Sequence, residues 1–234
     1  MNSYTIHPSS YRDPAGFIFE YEGKIYRQIN KCYADNYGLL ISSGLYTELL
    51  KKDMLIAHKE VEENLTGSNN WYTTLLPEQI EFISYPYEWC FNQLKDAALL
   101  TLDVLLTSLK YGMILKDATP FNVQFVNGEP VFIDTLSFEK YNGSKPWIAY
   151  RQFVECFIVP LVLSSYKSTD FIKQLQLNPD GISTAFAAKL LPFKSRLRLS
   201  LLLHIYLPNI VKGRARVKIR PVPALLSLNR NCLI

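Results

Sequence analysis

The chain has 234 residues, 48% of them hydrophobic and 13% aromatic; that is enough apolar mass to bury a full core and too much for a disordered chain. Cys32, Cys90, Cys156 and Cys232 stand singly, with no C-x-x-C pair and no histidine at ligand spacing, which argues against a structural zinc site and for reduced thiols in a cytoplasmic protein. Net charge is only +4, but residues 181–234 carry ten Lys or Arg and no Asp or Glu, so residues 1–180 hold a balance of −6.

Residues 1–12 are polar and lack the apolar core of a secretion signal. Residues 16–29 mix β-branched and aromatic side chains around Glu22-Gly23 and predict an antiparallel hairpin. Across residues 37–55, Leu40, Ile41, Leu45, Leu49 and Leu50 recur at helical spacing, and Lys51 and Lys52 suit a helix C-terminus. Residues 63–70 are a polar loop, and residues 79–85 a short extended piece stopped by Pro86. A long helix capped by Asn92 follows, with Leu94, Ala98, Leu102, Leu105 and Leu109 on one stripe and Gly112 as its left-handed stop. Asn127-Gly128, between two short apolar runs, predicts a second hairpin. Residues 147–166, 169–176 and 181–192 read as helices; the apolar run in 157–166 is broken by Pro160 and is far shorter than the roughly 20 residues a membrane span needs.

The chemistry lies between the long helix and the second hairpin. Phosphoryl transfer needs oxygen ligands for a magnesium ion and a carboxylate to orient the attacking hydroxyl. Kinases supply them from a loop with Asp and Asn five apart, then a hairpin, then a second Asp at its exit. Here the loop reads Leu115-Lys116-Asp117-Ala118-Thr119-Pro120-Phe121-Asn122 and the exit Phe132-Ile133-Asp134-Thr135-Leu136, with matching spacing. An alternative for Asp117 and Asn122 is a side-chain-capped turn between helix and strand, and Asp134 could equally just end its strand.

These stretches, together with residues 83–89 (Ile-Ser-Tyr-Pro-Tyr-Glu-Trp), Ser137-Phe138-Glu139 and Ala149-Tyr150-Arg151-Gln152-Phe153, resemble the kinase-like N-terminal region of bacterial two-domain proteins described as class I SAM-dependent methyltransferases, nodulation-protein-like members included. The resemblance covers residues 11–205 and implies an α+β, two-lobed protein-kinase-like fold, related in outline to aminoglycoside phosphotransferases. A small β-rich N-lobe would occupy residues 11–85, a mainly helical C-lobe residues 86–205, and a basic linker or tail residues 206–234. It implies Asp117 as the catalytic aspartate, Asn122 and Asp134 as metal ligands, Lys116 as a phosphate contact, and ATP and Mg2+ as cofactors. The acceptor would be an unidentified small-molecule or sugar hydroxyl, and a methyltransferase domain or subunit the attached partner. No Gly-x-Gly occurs in the chain, so a methyltransferase activity would belong to a half that is absent.

The first lobe departs from the kinase pattern. Only Gly16 and Gly23 lie near the hairpin; Arg27, or Lys24, is the candidate phosphate contact, with Glu48 as its carboxylate partner and solvated surface charge as the alternative for all three. Tyr85, Tyr87, Trp89 and Phe91 fall where kinases contact adenine, so Tyr87 reads either as part of a base pocket or as packing between lobes. Leu115 replaces the usual histidine, and Thr135-Leu136 the usual Phe-Gly, which leaves a silent pseudokinase or regulatory module as the alternative function. Basic residues from Lys189 to Arg220 around residues 199–205 suit an anionic membrane surface, or else a helix packed on the C-lobe followed by a linker; no strong nucleic-acid pattern is present.

Overall fold

The computed structural model describes residues 4–8, 10 and 13–212. The molecule is mixed α and β: an antiparallel five-stranded sheet carries two short helices, and a mainly helical remainder contains two small hairpin-like sheets. Among the described residues no helix is long and apolar enough to cross a membrane.

The first hairpin pairs β2 (Gly16–Tyr21) with β3 (Lys24–Asn30). Glu22 and Gly23 have φ of 51° and 72°, the double left-handed turn whose twist matches the strands it joins. Gly16 opposes Ile29 at the open end, where a Cβ would lie 2.0 Å from the Gln28 carbonyl oxygen and 3.0 Å from Leu136 Cδ1, so only glycine lets the hairpin sit this close to the 134–137 loop. The full sheet runs β1 (Thr5–Ile6), β2, β3, β5 (Trp71–Pro77), β4 (His58–Val61).

β4 and β5 correct the sequence reading, which placed its extended piece at residues 79–85. Those residues form no strand; at the end of the segment side chains hold the backbone instead, with Ser84 N–H donating to Gln124 Oε1 at 3.0 Å, Gln124 Nε2 donating to the Ser84 carbonyl at 3.0 Å, and Tyr85 N–H donating to Glu88 Oε2 at 2.7 Å. The apolar stretch in 37–55 is also two helices, α1 (Ala34–Ser42) and α2 (Leu45–Lys51), because Gly44 at φ 85° breaks the run between them.

The helix α3 (Phe91–Lys110) buries Leu94, Ala98, Leu102 and Leu105 as its spacing requires, and Ala97, Leu100 and Val104 besides. Each fully buried leucine contributes about 1.5–3 kcal/mol. Its cap is Cys90, whose N–H donates to Gln93 Oε1 at 2.9 Å; Asn92 is the second residue of the first turn. After Gly112, at φ 73°, come β6 (Met113–Leu115), β7 (Val123–Val126), β8 (Glu129–Phe132) and β9 (Phe138–Lys140). β7 and β8 form the expected Asn-Gly hairpin, with Asn127 and Gly128 at φ 52° and 86°, and β6 pairs with β9. Residues 54–56 run alongside β8, with Phe132 N–H donating to the Met54 carbonyl at 3.0 Å and Ile56 N–H to the Phe132 carbonyl at 2.9 Å, which ties the sheet to the helical remainder.

Residues 150–166 are one helix interrupted by a wide turn: α4 (Tyr150–Phe153), the wide segment Val154–Ile158, then α5 (Val159–Tyr166). Val159 N–H bonds back to the Val154 carbonyl, and Pro160 has no N–H to offer, so the Glu155 carbonyl loses its partner within the helix. Ile182 N–H supplies one from outside at 2.9 Å. Then come α6 (Asp170–Lys173), α7 (Thr184–Leu190), α8 (Leu199–Leu201) and α9 (Leu207–Lys212), α8 joined to α9 by a second wide turn, Leu202–Tyr206. Leu201, His204, Ile205 and Tyr206 are buried, so this basic region packs its apolar face inward; Arg214, Arg216, Lys218 and Arg220 lie outside the described residues.

Candidate functional site

Two loops lie side by side where β6 and β8 end. Lys116 N–H donates to the Ser137 carbonyl at 2.7 Å, and Ile133 N–H to the Asn122 carbonyl at 2.8 Å. These two backbone bonds lock the 116–122 loop against the 133–137 loop, so that Asp117, Asn122 and Asp134 lie close together although they come from separate segments. Gly16 on β2 packs close to Leu136, and Tyr33, in the turn that follows β3, donates its hydroxyl to the carbonyls of Thr135 (3.2 Å) and Phe138.

Asp117 is half-buried, and its carboxyl pKa is raised, first by loss of solvent and then by the Asp134 charge. That second cause means the two carboxylates sense one another. Hydrogen bonds from Thr119 N–H (3.2 Å) and from the Gln152 and Asn122 side chains oppose the rise. Gln152, on α4, also accepts from Ala118 N–H at 2.8 Å, so one side chain steadies both the loop backbone and the carboxylate. The other Asn122 contact is a donation from Nδ2 to Ser137 Oγ at 3.1 Å. With its amide hydrogens committed in this way, Oδ1 is the atom Asn122 has left to offer a cation.

Asp134 is the most heavily engaged group. Oδ1 takes an ion pair from Arg27 Nη1 and a contact from Leu136 N–H at 3.4 Å, and Oδ2 accepts from the Ser137 hydroxyl. The Arg27 and Asp134 side chains are only 12% and 18% exposed, so solvent screens this pair far less than a surface one. Lys116 sits at the rim, 3.3 Å from Asp13 Oδ2 and with its ammonium 5.2 Å from the centre of the Tyr33 ring. The Asp13 carboxylate also accepts from Ala15 N–H at 2.8 Å, which closes a tight turn in the chain entering β2.

Asp117, Asn122, Asp134, Lys116 and Arg27 are thus brought together, and the local turn readings hold as well: Asp117 caps the turn at Thr119, and Asp134 the turn at Leu136. Two of the expected residues are elsewhere. Glu48 pairs with Lys52, four residues on in α2, at 2.7 Å, so the carboxylate facing Arg27 is Asp134 instead. Tyr87 stacks on Tyr85 with ring centres 5.4 Å apart and lines a hollow with Trp89, Phe91, Asp170 and Lys173, on the side of α6. Ser137, Gln152, Asp13 and Tyr33 received no role from the sequence. Ser137 and Gln152 stand inside the quoted motifs, but only the folded chain reveals what a serine or glutamine there touches.

The oxygens of Asp117, Asn122 and Asp134 are the hard donors that magnesium takes. Among the described residues no three His, Cys, Asp or Glu side chains form a metal-holding group, so a cation would rest on the Asp134 carboxylate, the Asn122 amide oxygen and oxygens brought by phosphate or water.

No protein-family model matches the chain. It is 33% identical over 201 residues to nodulation protein NoeA of Rhizobium meliloti (strain 1021), a match that covers 85% of this chain and 42% of that protein. The chain therefore spans less than half the length of the curated relative it matches. Among solved structures it is similar to vaccinia related kinase 3, with a TM-score of 0.46 and 11% identity over 99% of this chain and 86% of that one.

Proposed function

We propose that the chain is a protein-kinase-like domain that binds ATP with Mg2+ in the cleft between the 116–122 and 133–137 loops and transfers phosphate to a hydroxyl of a small molecule or sugar. The observation that carries this reading is the mutual locking of two loops that converge Asp117, Asn122 and Asp134, with the Arg27 guanidinium facing them from β3. When bound, magnesium supplies charge neutralisation for the phosphate oxygens. Arg27 and Lys116 provide cationic contacts for the polyphosphate, and Asn122 Oδ1 with the Asp134 carboxylate completes the oxygen ligand set.

Asp117 orients the acceptor hydroxyl and takes its proton as the new P–O bond forms and the bond to the departing nucleoside diphosphate breaks. Its raised pKa suits a base that must both accept and release a proton. Gln152 keeps the carboxylate aimed, and Trp147, whose indole N–H donates to the Leu115 carbonyl at 2.7 Å, braces the strand that delivers the loop.

One observation favours a second reading, in which the domain binds nucleotide but stays silent within a longer protein whose remaining part is a methyltransferase. The Asp134 carboxylate is already occupied by Arg27, and Leu115, standing where kinases have histidine, is fully buried. Calorimetric titration of ATP, with and without Mg2+, into the wild type and Asp134→Ala tests binding. Metal-dependent heat that Asp134→Ala loses supports the function; no heat in either protein removes it. Single-turnover ATP hydrolysis with Asp117→Ala as control then separates the two readings, because equal rates leave only the silent module.

A further inference from the structure

Resting on that reading of the cleft, we infer that Arg27 is a built-in counter-cation of Asp134 that competes with a divalent ion for the same carboxylate, so that metal enters only after the guanidinium has moved onto a bound polyphosphate. The geometry leaves a cation little choice. Asp134 Oδ1 is held by Arg27 and approached by Leu136 N–H, and Oδ2 is taken by the Ser137 hydroxyl. Arginine does not lose its charge, so the pair cannot relax by deprotonation. Nor is there another site carboxylate ready for Arg27: Glu48 is engaged by Lys52, Asp13 by Lys116, and Asp117 by Thr119 N–H and two side-chain amides. A metal that displaced Arg27 would leave a guanidinium only 12% exposed without a partner, a state that carries a large penalty.

A polyphosphate changes this balance, because it carries more negative charge than one carboxylate and presents to Arg27 pairs of oxygens that the guanidinium fork can take bidentately. Once Arg27 is drawn to phosphate, Asp134 Oδ1 is released beside Asn122 Oδ1. Nucleotide and metal therefore bind with positive coupling, and the coupling passes through one side chain.

The test is Mn2+ titration followed by electron paramagnetic resonance, on wild type, Arg27→Gln, Arg27→Lys and the double variant Arg27→Gln/Asp134→Asn, first without nucleotide and then with a non-hydrolysable ATP analogue. Without nucleotide, Arg27→Gln should bind Mn2+ about tenfold or more tightly than wild type, since the competing charge is gone. The double variant should lose that gain, and the analogue should tighten Mn2+ in wild type but much less in Arg27→Gln. Equal affinity of wild type and Arg27→Gln, no Mn2+ binding in either, or a gain that survives Asp134→Asn would overturn the competition. Circular dichroism checks folding; if Arg27→Gln is unfolded, Arg27→Lys decides, with tighter Mn2+ binding than wild type expected and unchanged binding counting against the inference. Binding of the analogue with Mg2+ present is read separately: its absence in every variant would remove the proposed function, while the nucleotide-free Mn2+ comparison would still decide whether Arg27 guards Asp134.

Discussion

Asp134 and Arg27 illustrate how differently one ion pair responds to losing a partner and to losing both. Removing either side leaves the other as a nearly buried charge, and Asp134→Ala or Arg27→Met should each cost about 2–4 kcal/mol in urea unfolding. The double variant should cost clearly less than the sum of the two, because no orphaned charge remains. Additive losses would mean that the pair contributes little. Asp117 makes the opposite prediction. Its raised pKa means that the folded chain holds this proton more tightly than the unfolded chain does; the associated stability is complete below the unfolded pKa and is lost as pH rises through the folded one. Asp117→Asn should therefore raise the melting temperature near neutral pH, and the gain should vanish in acid, where Asp117 is protonated in both states. A loss of stability at neutral pH would contradict the burial and the Asp134 repulsion assigned to this carboxyl.

Individual elements were legible where local chemistry decides conformation. Glu22-Gly23 and Asn127-Gly128 are turns whose backbone requirement is written in the residues themselves, and both hairpins form around them. α3 was legible from its stripe, but its cap was not, since Cys90 owes that position to Gln93 reaching back, and Asn92 looks the better cap in isolation. β4 and β5 were missed because His-Lys-Glu-Val and Trp-Tyr-Thr-Thr-Leu-Leu-Pro lack a clear alternation, and what makes them strands is pairing, of β5 with β3 far off in sequence and of β4 with β5. The 79–85 segment erred the other way, for it looks extended yet is fixed by Gln124 alone among the β7 side chains that bond its backbone. Gln124→Ala should remove both bonds, cost about 1–3 kcal/mol and speed amide exchange at residues 79–85 well before the rest of the chain. Unchanged exchange there would show that the segment is held by other means.

At the scale of the whole molecule, the order helix, loop, hairpin, aspartate was readable because spacing survives without any three-dimensional information. What spacing did not carry was the partner of each side chain. Arg27 and Glu48 could be read as a phosphate contact with its carboxylate partner or as solvated surface charge; Arg27 faces Asp134, and the short helix α2 satisfies Glu48 internally through Lys52. Tyr87 could be read as part of a base pocket or as packing between lobes, and it stacks on Tyr85 toward α6. The candidate site is thus assembled by contacts from the sheet and the segments flanking its strands: Arg27 on β3 to Asp134, Tyr33 after β3 to Thr135 and Phe138, and Asp13 before β2 to Lys116. Coupling of sheet to loops through these contacts is what a ligand bound in the cleft would report.

Paramagnetic line broadening by Mn2+ and an ATP analogue, read from backbone amide resonances of the isotopically labelled chain, locates the bound cation directly. The account predicts selective broadening of Arg27, residues 117–122 and residues 134–137, with the amides of Tyr87, Asp170 and Lys173 spared. Broadening centred on the hollow beside Tyr87, or none beyond that of free Mn2+, would contradict it.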